Sequence, residues 1–119
     1  MDRRIEVVIS SLEARPTKAW ATSELADLVN LSGSRLRHLF KQETGTTPAQ
    51  YLKAIRLRRA ATLLRTTFMS IKEIAMSVGL TTASYFVREF RKSYGMTPTE
   101  FRNANTRLTA RDHKRPNEH

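Results

Sequence analysis

Apolar side chains recur along this chain at helical spacing, and nowhere do they alternate with the period of two that a half-buried strand requires. Ile5, Val8, Ile9 and Leu12 stand at i, i+3, i+4 and i+7. They predict an amphipathic helix over 2–14 that Arg15-Pro16 stops. Leu25, Leu28 and Val29 predict a short helix over 22–29 with all three turned inward, and Leu36, Leu39 and Phe40 a second over 33–43. A longer pattern over 48–65 offers Tyr51, Leu52, Ile55, Leu57, Leu63 and Leu64 for packing. Phe86 and Phe90 then mark the buried stripe of a helix over 83–93. The fold class that follows is all-α.

The pattern is written twice. Residues 25–51 read LADLVNLSGSRLRHLFKQETGTTPAQY and residues 74–101 read IAMSVGLTTASYFVREFRKSYGMTPTEF. Leu25, Ala26, Val29 and Leu31 match Ile74, Ala75, Val78 and Leu80 at an offset of 49. Phe40, Gly45, Thr47, Pro48 and Tyr51 match Phe90, Gly95, Thr97, Pro98 and Phe101 at an offset of 50, so one residue is inserted between Leu80 and Phe86. The matches have physical content. Asn30 and Gly79 both tolerate the left-handed backbone of a tight helix–helix turn, and Ala26 and Ala75 are small enough for two helices to cross closely. Ser32 and Thr82 are N-cap residues for the helices that follow, and Gly45 and Gly95 are C-terminal stops. Thr47-Pro48-Ala49-Gln50, Thr97-Pro98-Thr99-Glu100 and Ser70-Ile71-Lys72-Glu73 read as capping boxes, the first two with proline at the first helical position. Ala21 stands where Ser70 does, so that helix start is weaker or shifts to Thr22. The organisation expected is a helix-turn-helix subdomain over 1–47, a linker helix over 48–65, a second helix-turn-helix subdomain over 66–103 and a disordered basic tail over 104–119. A chain of 119 residues holds one domain, or two small subdomains that share elements to bury a core.

Charge then narrows the partner. The net charge is +10, and its distribution is uneven. Residues 1–31 carry a balance of −1, whereas residues 32–65 hold eight basic groups against Glu43 alone, and 66–103 and 104–119 add +2 each. A positive field peaking on the second half of the first repeat is the footprint of a polyanion binder. No apolar run approaches a membrane span, and the N-terminus lacks a signal-peptide core, so a cytoplasmic protein without a membrane partner is expected.

On the helix over 33–43, Ser34, Arg37, His38 and Lys41 form the stripe opposite the apolar one, with Arg35 beside it. On the second helix of such a motif this face suits the major groove, where arginine pairs in two-pronged fashion with guanine. The outward places of the second copy hold Ala83, Ser84, Val87, Arg88 and Arg91. Arg88 is the best base reader there, and Val87 suits a thymine methyl. Ser34, Arg35, Arg37, His38, Ala83, Ser84, Val87 and Arg88 are therefore the base-reading candidates. Lys41, Arg56, Arg58, Arg59, Arg91 and Lys92 are the phosphate candidates, with ion pairs or packing over apolar surface as the alternative for some of the arginines. Trp20 reads as core of the first module. Major-groove faces recur about every 34 Å along one side of B-DNA. A linker helix of roughly 27 Å plus the offset of each module suits that spacing.

With these residues in view, the chain resembles the DNA-binding domain of AraC/XylS-family transcription regulators over about residues 5–103. Arg56-Leu57-x-x-Ala60, Ile71-x-x-Ile74-Ala75, Val78-Gly79-Leu80, Ser84-Tyr85-Phe86, Phe90 and Gly95-Met96-Thr97-Pro98 carry the resemblance in order. It implies seven helices in two helix-turn-helix subdomains joined by a long helix. It also implies bacterial gene regulation, usually activation through contact with RNA polymerase. Base contacts implied by the family fall on Ser34, Arg37 and His38 in the first reading helix and on Ala83, Ser84, Val87 and Arg88 in the second. Ser34, Ala83 and Ser84 are shorter than the bulky or amide side chains that small stand-alone members carry, which implies a different operator and a second module that reads less sequence. The chain is expected to be a stand-alone regulator or the DNA-binding part of a longer protein, and to bind as a monomer.

Other classes find little support. Catalysis lacks its ingredients: there is no cysteine, no nucleophile–base set and no carboxylate pair at useful spacing, and His113 and His119 lie in the tail. No catalytic residue, metal site or cofactor is expected. The alternative that remains is a helical protein-interaction module whose basic face docks an acidic partner.

Overall fold

The computed structural model describes residues 1–105. Its helices are α1 (Arg3–Ala14), α2 (Thr22–Leu28), α3 (Gly33–Thr44), α4 (Pro48–Thr66), α5 (Ile71–Ser77) and α6 (Ala83–Tyr94), with α7 described over 98–105. No strand occurs among the described residues, and none of these helices is long and apolar enough to cross a membrane. Helix α7 continues through Ala104 and Asn105, so the tail expected from 104 does not begin there. The rest of that expectation, residues 106–119, lies outside the described residues.

Local chemistry sets most helix ends. Asp2, Ser32, Ser70 and Thr82 each accept a backbone N–H of the first turn through a side-chain oxygen. Ser70 and Glu73 form a full capping box, and Thr47–Gln50 and Thr97–Glu100 exchange the same reciprocal bonds ahead of α4 and α7. Ala21 has no side-chain oxygen, so α2 starts on half a box: Glu24 accepts the Ala21 N–H at 2.9 Å. The cap stays at Ala21 and is the weaker one. Gly45 and Gly95 close α3 and α6 in left-handed geometry, with φ of 80° and 76°.

The chain divides within α4 into two compact units, Met1–Arg56 and Leu57 onward. In the first, Ile5, Val8 and Leu12 of α1 bury against Leu25 and Ala26 of α2, Leu36 and Phe40 of α3, and Leu52 and Ile55 of α4. Trp20 packs against this core, its indole N–H donating to the Arg15 carbonyl at 2.9 Å. In the second, Leu57, Ala60, Ala61 and Leu64 of α4 bury against Ile74 and Ala75 of α5 and Phe86 and Phe90 of α6. Phe101 of α7 joins edge-on to Phe90 at 5.3 Å. One helix thus supplies two cores from its two halves.

Leu28 departs from the expectation. It is 52% exposed, whereas Leu25 and Ala26 are buried and Val29 is half-buried. On a helix this short the inward arc runs through residues 25, 26 and 29, and position 28 falls beyond its edge. Ser77, at the same place in the second copy, is exposed as well.

Candidate nucleic-acid interface

Both helix pairs turn in the same way. Asn30 has φ of 58° and Gly79 φ of 88°. The next residue closes the turn by donating its N–H to the alanine of the preceding helix, Leu31 to Ala26 at 3.0 Å and Leu80 to Ala75 at 2.9 Å. Ala26 and Ala75 are fully buried, as close crossing of α2 with α3 and of α5 with α6 demands. The inserted residue is now placed. Ser32 follows Leu31 directly as a cap, while Thr81 intervenes between Leu80 and Thr82. The extra residue therefore lengthens the turn, and α3 and α6 keep the same length of 12 residues.

On α3, burial of Leu36 and Phe40 puts Ser34, Arg35, Arg37, His38 and Lys41 on the exposed side. No hydrogen bond or ion pair engages the side chains of Arg35, Arg37, His38 or Lys41 among the described residues. This stripe is a cationic donor surface that no described residue satisfies.

On α6 the exposed side is different. Ala83, Ser84, Val87, Arg88, Arg91 and Lys92 come together with Thr97 around one open hollow of about 690 Å³. Ala83 and Val87 are half-buried in it, and the cations rim it. Thr97 was legible only as a helix cap. Two cations are also held from behind. Glu89 is a buried charged side chain, 6% exposed, and its Oε2 lies 3.4 Å from Arg88 Nε and 3.3 Å from Lys92 Nζ. The Arg88 guanidinium carbon stands 5.5 Å from the Tyr85 ring centre, within range of a cation–π contact. One signal for Glu89 was available in the sequence: at the offset of 50 it occupies the place of Leu39, in the inward stripe of the first copy.

The arginines of α4 have separate situations. Arg58 and Arg59 are exposed. Arg56 is half-buried; its Nε donates to the Pro16 carbonyl at 2.7 Å and its Nη2 to the Lys18 carbonyl at 2.8 Å. A guanidinium committed to two backbone acceptors ties α4 to the loop after α1, which is a structural task. Arg102 of α7 does the same in the second unit, reaching the Leu64 and Thr67 carbonyls at 3.1 and 3.3 Å. Those carbonyls lie at the C-terminal end of α4, where no helical partner remains for them. No group of histidine, cysteine or acidic side chains capable of holding a metal occurs among the described residues.

Comparison with known proteins adds to this geometry. A helix-turn-helix domain family profile matches residues 25–104. The transcriptional activator RhaR of Mannheimia succiniciproducens is 38% identical over 99 residues, covering 83% of this chain and 36% of that protein. The chain spans about a third of the length of the curated relatives it matches. Among solved structures, an AraC-type transcriptional regulator from Chromobacterium violaceum superposes with a TM-score of 0.81 at 32% identity, covering 87% of this chain and 92% of that one. The DNA-binding domain of the transcription factor AdpA, solved with a target DNA, superposes with a TM-score of 0.79 at 25% identity, over 85% and 91% of the two chains.

Proposed function

Since the chain belongs to the AraC-type helix-turn-helix DNA-binding domains, we propose that α3 and α6 are its two reading helices and that each enters a major-groove segment of one operator. The observation that carries this is the exposed face of α3. Arg35, Arg37, His38 and Lys41 lie side by side without partners among the described residues, on the helix that follows a tight turn. In this reading Arg37 and Arg88 read bases, Val87 and Ala83 offer apolar contact to thymine methyls, and Ser34, Arg35, His38 and Ser84 complete the base-facing set. Lys41, Arg58, Arg59, Arg91 and Lys92 meet phosphates, which fix register without reading sequence. Arg56 is set apart from the contact set, because its Nε and Nη2 are committed to backbone carbonyls inside the first unit.

Two modules on one polypeptide favour binding as a monomer to an asymmetric site. The longer relatives are named as activators and regulators, which favours a cytoplasmic regulator that activates transcription through RNA polymerase. Selection of bound sequences from a random duplex pool tests the core of the proposal. An asymmetric consensus of about two helical turns, bound one chain per duplex, is the expected result. A palindromic consensus bound only by dimers would overturn the monomer reading, and failure to enrich any sequence would overturn base reading.

A further inference from the structure

The buried carboxylate of Glu89 is the feature of α6 that contact with DNA does not explain. A negative charge beneath a DNA-facing helix opposes binding to a polyanion. Burying it is costly unless cations satisfy it, and here two do, from adjacent places on the same helix. Their situations differ from that of Glu89: the side chains of Arg88 and Lys92 are 62% and 68% exposed, against 8% for the acid. Glu89 engages Arg88 only at Nε, and the ring of Tyr85 lies beside the guanidinium. The two terminal nitrogens, the pair that would span guanine O6 and N7, have no partner among the described residues. A long flexible side chain is thereby restrained on the edge it does not need for reading.

Resting on the reading of Arg88 as a base contact, we propose that Glu89 is a positioning residue that sets the sequence discrimination of α6, by holding Arg88 pre-arranged at the hollow lined by Ala83, Ser84 and Val87. Restraint before binding removes part of the ordering cost of the two-pronged contact, and that gain is realised only where the base fits. The same carboxylate partly neutralises Lys92 and so weakens attraction to any duplex. Glu89 therefore acts with opposite signs on two measurable quantities: it raises the ratio of operator to random-duplex affinity and lowers random-duplex affinity itself. Leu39 in α3 provides no such restraint, and Arg37 and His38 have no partner among the described residues. The two helices thus differ, α3 offering contacts that no described residue restrains and α6 a narrower, pre-set one.

The test is fluorescence anisotropy of the 119-residue chain on its selected operator and on a random duplex at one salt concentration. Glu89→Gln keeps shape and hydrogen bonding but removes the charge. It is expected to lower the operator-to-random ratio about three- to tenfold while random-duplex affinity rises. The loss should be confined to the base position that Arg88→Ala relaxes, and Glu89→Gln made in the Arg88→Ala background should change the ratio no further. An unchanged ratio in Glu89→Gln, or a further fall in the double variant, overturns the positioning role. If Arg88→Ala alone leaves the ratio unchanged, the base reading of Arg88 fails instead. If Glu89→Gln lowers the thermal midpoint, Glu89→Asp, which keeps the charge but shortens its reach, must show the same fall in ratio at a temperature where it is fully folded, or the proposal falls.

Discussion

Arg37 and Arg58 are both exposed arginines, yet they are assigned opposite tasks, and a substitution separates them. Arg37→Ala is expected to cost about 1–3 kcal/mol on the operator and to relax one base position. Arg58→Ala is expected to weaken operator and random duplex alike and to reduce the salt slope by about one. Equal loss on both duplexes for Arg37→Ala would demote it to a phosphate contact. Arg56 belongs to neither group. Its removal strips the Pro16 and Lys18 carbonyls of a charged donor, so Arg56→Ala should destabilise the chain by about 1–3 kcal/mol in urea titration. Binding measured well below the unfolding transition should stay nearly intact; a selective loss of operator affinity there would return Arg56 to the interface. In the sequence these three residues are alike, since each is an arginine on a basic helix. What distinguishes Arg56 is two carbonyls contributed from 40 and 38 residues earlier in the chain, and no local pattern announces them.

At the scale of elements, the two copies are held to their geometry by turns and caps that can be tested singly. Gly79 sits at φ 88° and Asn30 at φ 58°. Gly79→Ala forces a side chain into the left-handed region and should lower stability by about 1–2 kcal/mol, while Asn30→Gly should be close to neutral. A neutral Gly79→Ala would mean that the turn relaxes to another conformation. The caps make a prediction about pH. The backbone N–H groups of Ala21, Ser70 and Thr97 hold Glu24, Glu73 and Glu100 respectively below the ordinary glutamate value, chiefly by donating to the carboxylates. Asp2 is lowered to about 2, first by the side-chain hydrogen bond from Arg4. A lowered carboxylate contributes stability that is fully present above its unfolded value and is lost as the pH falls through its folded one. The thermal midpoint should therefore hold from neutrality down to the ordinary glutamate range and decline below it. Glu73→Gln and Glu100→Gln, which keep a neutral capping box, should flatten that decline. These elements were largely legible, because caps, left-handed turns and apolar periodicity involve residues within a few positions of one another. Leu28 was not, although the exposed Ser77 in the matching place marked that position as tolerant of water.

At the scale of the whole molecule, charge and repetition decide how the chain meets DNA. The balance of +7 over 32–65 places the strongest positive field on α3 and much of α4. Binding to random duplex should accordingly weaken steeply with salt, with a log–log slope near −0.9 for each phosphate neutralised. A slope near zero would exclude DNA and favour an acidic protein partner. One chain should saturate one duplex, and sedimentation of the complex at concentrations near the dissociation constant checks it. The two units repeat a motif but present different surfaces. α3 presents cations that no described residue engages, whereas α6 presents small side chains around a hollow with Arg88 and Lys92 braced by Glu89.

The sequence by itself determined the helices, their caps, the two left-handed turns, the outward faces of α3 and α6 and the family, because each depends on short-range chemistry repeated in order. Tertiary structure alone decided which arginine is spent on carbonyls and which stays exposed, that α4 feeds a different core from each half, and that an acid lies buried on the inward side of α6. Those outcomes depend on which distant backbone and side-chain groups the packed helices bring to one point. Residue type and spacing carry no record of that meeting until the chain has folded.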